Sequence, residues 1–464
     1  MTAFDEFLEF ENKNYETLKK YRFAEADLMM WPYMRNIVLE GLVGYERNPE
    51  VIDYDVIPIK LFSLNTLTYI LEVLKSFLRP KRRKEFLFFD EDRSNVPDSE
   101  GIYCNPLFDP YAELVGEENV AFFERSTQYM IRRPRKMKGV ICLDYMLIPI
   151  FLKTKFSRIS LETRRQIDGL EFFLREELGE NRWNAIDEKF KTKIEILAKR
   201  LPLQQKAYRK LLRKISPKYI FINAGCYSRG HILREAKRLG VTTCEIQHGL
   251  ISSNHYAYNY CEKFLKDADF AELFPDYFFA YGEYFAKILR APTKAVVVGS
   301  PTKVQEAKEK DSILFIVSCD SREKMKGVIR SFCKSPYAMQ YRLIYRPHPA
   351  EIDFLEKDKE FAKENNLIFS PAREEPVDGI LARAKAVVGG YSTVLYEAVR
   401  YGATPFLIRT RFSEDGGFPD SFRAFEEAED FLEKFGDTEK NEDDFREDIY
   451  AENWEENVKN FLKG

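Results

Sequence analysis

Residues 219–249 read YIFINAGCYSRGHILREAKRLGVTTCEIQHG. The apolar run from Tyr219 to Asn223 has the length and composition of a buried strand and opens onto Ala224-Gly225. Gly230 to Leu239 carries helical spacing, and Thr242 to Gln247 is a second apolar strand that ends in His248-Gly249. Strand, helix and strand in this order predict a βαβ unit.

Working outward, Glu85 to Asp90 is an apolar run bounded by charge, which predicts the first buried parallel strand. Further strands are expected at 120–123, 277–281 and 295–299, with a long charged helical stretch between Thr154 and about Lys214. The first 80 or so residues are helical in pattern. From Ser300 to Asp311 the chain turns polar, and a second alternating series follows, with strands expected at 313–317, 341–345, 367–369, 386–388 and 404–408. The expected fold class is therefore α/β, with two Rossmann-like domains facing across a cleft and a helical N-terminal extension. Its divisions are 1–84 (extension), 85–300 (first domain), 311–425 (second domain) and 426–464, an acidic helical tail packing back on the N-terminal half. Open parallel sheets bind ligands beyond the carboxyl ends of their strands, which makes the cleft the expected site.

Composition narrows the classes of function. With 45% hydrophobic residues among 464, the chain has material for packed cores. Lysine plus arginine (72) nearly balances aspartate plus glutamate (75), which argues against a nucleic-acid partner. Seven scattered cysteines without zinc spacing read as reduced thiols, and neither a signal peptide nor a spanning segment is evident, so a cytoplasmic location is expected. Residues 57–78 place apolar positions at helical spacing and run into Pro80-Lys81-Arg82-Arg83-Lys84; Arg132 to Lys138 forms a second basic patch. Such a helix can rest on an anionic membrane surface, a peripheral contact with the inner membrane face. The commoner reading, a core helix with a solvated end, is the one expected here.

All four histidines, His231, His248, His255 and His348, fall in one stretch of the chain. His231 and His255 read as structural. Arg346-Pro347-His348-Pro349 follows an expected strand, and its forked guanidinium and tunable imidazole suit a phosphate; the alternative is a structural turn. Gly389-Gly390-Tyr391-Ser392-Thr393 leads from a strand into a helix, where glycines admit an anion and Ser392 and Thr393 either hold it or cap the helix. Glu397, further along that helix, either compensates its dipole or faces a ligand. His248, at a strand's carboxyl end beside Glu245, is placed as a base for an acceptor hydroxyl. Asp90-Glu91-Asp92 is the nearest approach to a metal-binding string and reads as a charged turn; no metal and no cofactor are expected.

Over roughly 215–408 the strings RPHP, GGYSTVLYEA and EIQHG resemble those of the GT-B glycosyltransferases that build bacterial surface polysaccharides: capsule Kdo transferases, bacterial sialyl- and polysialyltransferases and teichoic-acid polyol-phosphate polymerases. The resemblance implies that His348 binds or protonates the donor phosphate, that Ser392 and Thr393 hold it, and that Glu375 takes the ribose hydroxyls. It also implies a departure. The sialyltransferases carry a carboxylate pair before glycine as general base, where this chain has Asn223-Ala224-Gly225. The base is then His248, Glu245 or a carboxylate after the first strand (Asp90, Glu91 or Asp98), with His248 preferred. The expected activity is metal-independent transfer of a sugar from a nucleotide donor, most simply a CMP-linked acidic sugar such as sialic acid or Kdo, to a glycan or lipid-linked glycan acceptor. The alternatives are a CDP-polyol phosphotransferase of the same architecture and a non-catalytic nucleotide-sugar-binding subunit of polysaccharide assembly.

Overall fold

A computed structural model of the chain describes residues 3–43, 64–91, 94–97, 100–126, 133–302, 304, 309–318, 321–348, 354–371, 377–410, 413, 418–419, 421–438 and 449–464. The chain forms two compact α/β units, each with its own parallel sheet. The first comprises 1–248, 256–279 and 290–296, and the second 249–255, 280–289 and 297–464.

The first unit begins with helices α1 (Ala3–Leu18), α2 (Trp31–Val43) and α3 (Leu64–Leu78), with a two-residue-per-strand hairpin, Arg22–Phe23 against Leu28–Met29, between the first two. Its sheet is built from β1 (Phe86–Glu91), β2 (Val120–Arg125), β3 (Ile141–Cys142), β4 (Tyr219–Ile222), β5 (Thr242–Ile246), β6 (Tyr277–Ala280) and β7 (Lys294–Val297), in the order β7-β6-β5-β4-β1-β2-β3. The registers from β6 through β3 are all parallel. A parallel sheet is covered on both faces, which is why β1 and β4 read as unbroken apolar runs. Phe88 makes the point: its ring lies 5.2 Å from Phe221, 5.6 Å from Phe108 and 5.8 Å from Phe122.

The expected helical stretch after Thr154 is divided. Helices α4 (Asp144–Phe156), α5 (Leu161–Leu178) and α6 (Asp187–Ile215) are separated where Ser160 caps α5 by accepting from Thr163 N, and where Gly179 takes φ 77°. A left-handed turn at that point ends one helix and redirects the chain.

Helices α1 and α2 are clamped by a buried ion pair. Arg35 Nε and Nη2 donate to the two Glu11 carboxylate oxygens, each at 2.8 Å, and Trp31 Nε1 donates to Glu11 at 2.6 Å. Arg35 also donates to Asn259 O at 2.9 Å and lies 3.9 Å over the Tyr260 ring, while Ser228 Oγ donates to Pro32 O at 2.9 Å. The N-terminal helices thus brace two loops at the carboxyl edge of the sheet.

One expectation is corrected at α3. The helix is not a core helix: Leu67, Ile70, Leu71, Leu74, Phe77 and Leu78 are exposed, whereas Tyr69 and Ser76 are buried. Residues 57–63 lie outside the described residues. The Asp90-Glu91-Asp92 string is corrected as well. Asp90 and Glu91 belong to β1 rather than to a turn, and Asp90 is buried; Asp92 lies outside the described residues.

The second unit's sheet is six-stranded and parallel: β8 (Ser312–Val317), β9 (Arg342–Pro347), β10 (Ile368–Phe369), β11 (Ala384–Gly389), β12 (Thr404–Ile408) and β13 (Arg423–Phe425), in the order β10-β9-β8-β11-β12-β13. Helix α7 (Arg322–Cys333) lays Phe332 against Phe435 at 5.1 Å and Phe431 at 5.6 Å, both on α8 (Ala428–Thr438). Fully burying side chains of this size contributes on the order of 2 kcal/mol each. A terminal helix, Trp454–Lys463, is fixed where Ala451 N donates to Tyr281 O at 2.7 Å and Asn457 Nδ2 donates to Val298 O at 3.2 Å. Among the described residues no helix is long and apolar enough to cross a membrane.

Candidate functional site

In the first unit, β5 ends by burying Glu245 completely and presenting His248 three residues on. The Glu245 carboxylate accepts from Tyr258 Oη at 2.6 Å and from Cys226 N at 2.8 Å, and its Oε1 lies 3.8 Å from His248 Nδ1. Burial raises the Glu245 pKa to about 7, against the opposing hydrogen bonds from Tyr258 and Cys226. The His248 side chain is 27% exposed, and its ring centroid lies 5.7 Å from that of Tyr227. One nitrogen of His248 thus faces a buried carboxyl across 3.8 Å while part of the ring meets solvent.

The loop that reaches Glu245 is tightly drawn. Ala224 and Ser228 both adopt left-handed backbone, at φ 53° and 62°. Between them, a Cβ on Gly225 would stand 2.8 Å from Pro275 Cγ and 3.2 Å from Glu245 Oε2, so protein atoms close the space beside this glycine. Cys226 is buried, and burial pushes its thiol well above the ordinary range, so it serves as packing and as a backbone donor.

A second acidic group stands at the ends of β1 and β2. Asp90 Oδ1 accepts from Asn223 Nδ2 at 2.5 Å, and Asp90 Oδ2 accepts from Asn105 Nδ2 at 2.5 Å. Burial raises the Asp90 pKa to about 7, and Glu124, directly opposite on β2, adds to the shift. Glu91 lies 3.4 Å from Arg229 Nη2, and Asp98 lies outside the described residues. Asn223 is thus tied to one of the candidate carboxylates, a pairing with no signal in local sequence. His231 is buried between Tyr33 and Tyr208 and held neutral, its pKa lowered to about 3 chiefly by burial.

In the second unit, β9 carries Arg346 at its carboxyl end, 6% exposed and donating from Nη1 to Ser370 Oγ at 3.1 Å. His348 follows, exposed, with its backbone N donating to Val317 O at 2.8 Å. On the adjoining path, β11 ends at Gly389, and a seven-residue helix, Val394–Arg400, begins after Thr393. The Ser392 hydroxyl accepts from Val394 N at 3.3 Å, and Thr393 makes no side-chain cap. Glu397 is held above the ordinary carboxylate range by burial first and by Asp378 second, while Arg400 and Arg346 oppose the shift. Arg346 and Glu397 therefore share one electrostatic neighbourhood. Glu375 lies outside the described residues.

No protein-family model matches the chain, and no curated protein matches it. Among solved structures it is similar to the UDP-GlcNAc 2-epimerase of Methanocaldococcus jannaschii, at 11% identity over 82% of this chain and 99% of that one, with a TM-score of 0.44. It is similar to a lipopolysaccharide outer core galactosyltransferase at 13% identity over 82% and 99%, with a TM-score of 0.42. A wall teichoic acid polymerase is similar at 10% identity over 87% and 93%, with a TM-score of 0.38.

Among the described residues no group of three or more His, Cys, Asp or Glu side chains is arranged to hold a metal ion. The first unit thus places a partly exposed imidazole 3.8 Å from a buried carboxyl, and the second an arginine, a histidine and a hydroxyl at strand ends.

Proposed function

We propose that the chain is a glycosyltransferase that takes a sugar from a nucleotide donor, a CMP-linked acidic sugar, and adds it to a glycan acceptor without a metal ion. The observation that carries this reading is the Glu245–His248 pair: a fully buried carboxylate 3.8 Å from the Nδ1 of a partly exposed histidine at the end of a parallel strand. In the proposed reaction the acceptor hydroxyl oxygen bonds to the anomeric carbon and its proton passes to His248. The bond from that carbon to the phosphate oxygen breaks, and the nucleotide leaves with the electron pair. Arg346 and His348 offset the charge on the departing phosphate, with Ser392 as a hydroxyl partner and Glu375 as acceptor for the ribose hydroxyls.

The same pair supports a CDP-polyol phosphotransferase, because a base that activates a hydroxyl serves attack on phosphorus equally well. The experiment is a thermal-shift panel of CMP, CDP, UDP, UMP and GDP on the wild type and His348→Ala, followed by turnover with CMP-sialic acid, CMP-Kdo and CDP-glycerol. A ligand that binds the native state raises its melting temperature by mass action. Stabilisation by a cytidine nucleotide that is lost in the variant, with turnover of a CMP-sugar, is the expected result. Turnover of CDP-glycerol alone selects the phosphotransferase, and no response to any nucleotide by the folded protein overturns both.

A further inference from the structure

Helix α3 is built inside out. Its residues at one helical spacing, Tyr69, Glu72, Val73 and Ser76, face inward: Tyr69 and Ser76 are buried and Glu72 and Val73 are half-buried. Two inward contacts are hydrogen bonds. Tyr69 Oη donates to Asp144 Oδ2 at 2.8 Å, and Ser76 Oγ accepts from Cys142 N at 2.9 Å. The outward positions are Leu67, Ile70, Leu71, Leu74, Phe77 and Leu78, exposed by 47–77%. A water-facing surface helix shows the opposite arrangement, so an apolar stripe held outward by polar anchors marks a surface that something apolar covers.

The charge around this stripe says what covers it. Lys75 is 75% exposed at the stripe's edge, and Arg79, Arg82 and Arg83 are exposed immediately beyond the helix. Lys81 sits 4.1 Å over the Tyr145 ring, its pKa lowered by burial and by the neighbouring Lys214 and Arg79, a sign of concentrated positive charge. The neighbouring helix α4 adds exposed Phe151, Leu152 and Phe156 among Lys153 and Lys155. An apolar partner protein is served by apolar surface alone, whereas apolar side chains rimmed by four to eight cations match the headgroup and acyl boundary of an anionic bilayer. At 15 residues, α3 extends about 22 Å, short of the roughly 30 Å hydrocarbon core, so it lies on the membrane and does not cross it.

We infer that the outward face of α3, with its basic C-terminal flank, is a docking surface for an anionic lipid bilayer. The proposal stands on this face alone and is independent of the transferase reading. The test is co-sedimentation of the full chain with phosphatidylcholine vesicles, with and without about 30 mol% phosphatidylglycerol. Binding to the anionic vesicles alone is expected, falling at least about tenfold in Leu74→Glu/Phe77→Glu and in Arg82→Glu/Arg83→Glu, and weakening in high salt. Both variants alter exposed side chains, so their melting temperatures should match the wild type, and matching values confirm that lost binding is not lost folding. Three results overturn the proposal: no binding to either vesicle, equal binding by both variants, or self-association by light scattering that Leu74→Glu/Phe77→Glu abolishes without any vesicle binding. Turnover of soluble substrates is unaffected by either variant, which separates a failure here from a failure of the proposed activity.

Discussion

Tyr258 Oη donates to Glu245 Oε1 at 2.6 Å, and that same oxygen stands 3.8 Å from His248 Nδ1. One carboxylate oxygen thus serves a buried phenol and a partly exposed imidazole, and the phenol decides where that oxygen points. Tyr258 is itself fully buried, so the alignment does not depend on a mobile surface group.

The pH dependence of stability follows from the carboxyls. Glu245 and Asp90 titrate near 7 in the folded chain, against ordinary values of 4.5 and 3.8. The native state therefore holds protons that the unfolded chain has released, and the stability this contributes is present at low pH and lost as pH rises through about 7. Across roughly pH 5 to 7.5, wild type should lose stability relative to Asp90→Asn/Glu245→Gln by on the order of 3 kcal/mol per site. Urea denaturation of both proteins at several pH values measures that difference; a pH-independent gap would contradict it.

His248→Asn should separate chemistry from structure. The side chain is partly exposed and its ring contact with Tyr227 is edge-on, so stability should change by less than about 0.5 kcal/mol. Under the proposed activity, kcat should fall by about 10²- to 10⁴-fold while nucleotide affinity stays unchanged. Rapid-mix turnover and isothermal titration on the same preparation report the two effects.

Arg35→Ala should be among the most damaging substitutions in the first unit. It leaves the Glu11 carboxylate buried without its cation and removes the guanidinium from Asn259 O and the Tyr260 ring, a loss of about 3–5 kcal/mol. Glu11→Leu/Arg35→Met, which replaces the pair by apolar groups of similar size, should recover most of it. The measurement is a double-mutant cycle by chemical denaturation, and equal damage in the single and double variants would show that charge burial is not the cause.

At Gly225 the expected effect is local. An added Cβ meets Pro275, Ile222 and Glu245 Oε2 at 2.8–3.2 Å, so Gly225→Ala should cost about 1–3 kcal/mol and displace the Glu245 carboxylate. The carboxyl signal of labelled Glu245, followed by NMR titration, should move away from a midpoint near 7; an unchanged titration would mean that Pro275 yields instead.

Much of the architecture was legible because buried parallel strands are unbroken apolar runs: Phe86 to Phe89, Tyr219 to Ile222 and Ile313 to Val317 lie where their composition placed them. The two-residue strands Ile141–Cys142 and Ile368–Phe369 and the short Arg423–Phe425 are too brief to show a period, and only the middle one was anticipated. The α3 reading failed for a related reason: periodicity reveals that a helix has two faces and is silent on which one meets the core. At the site, Glu245 and His248 stood out through their position at a strand end. Tyr258, Cys226 and the Asn223–Asp90 bond did not, because each depends on a segment brought in from elsewhere in the chain; a tyrosine or asparagine carries no local mark of its distant partner.

The buried Glu11–Arg35 pair has a consequence for biosynthesis. Its two members lie 24 residues apart, yet the carbonyl that completes it, on Asn259, is 224 residues beyond Arg35. At about 5–20 residues per second, a ribosome takes roughly 10–45 s to deliver that residue. For that interval the Glu11–Arg35 pair lacks the Asn259 carbonyl and the Tyr260 ring that complete its surroundings.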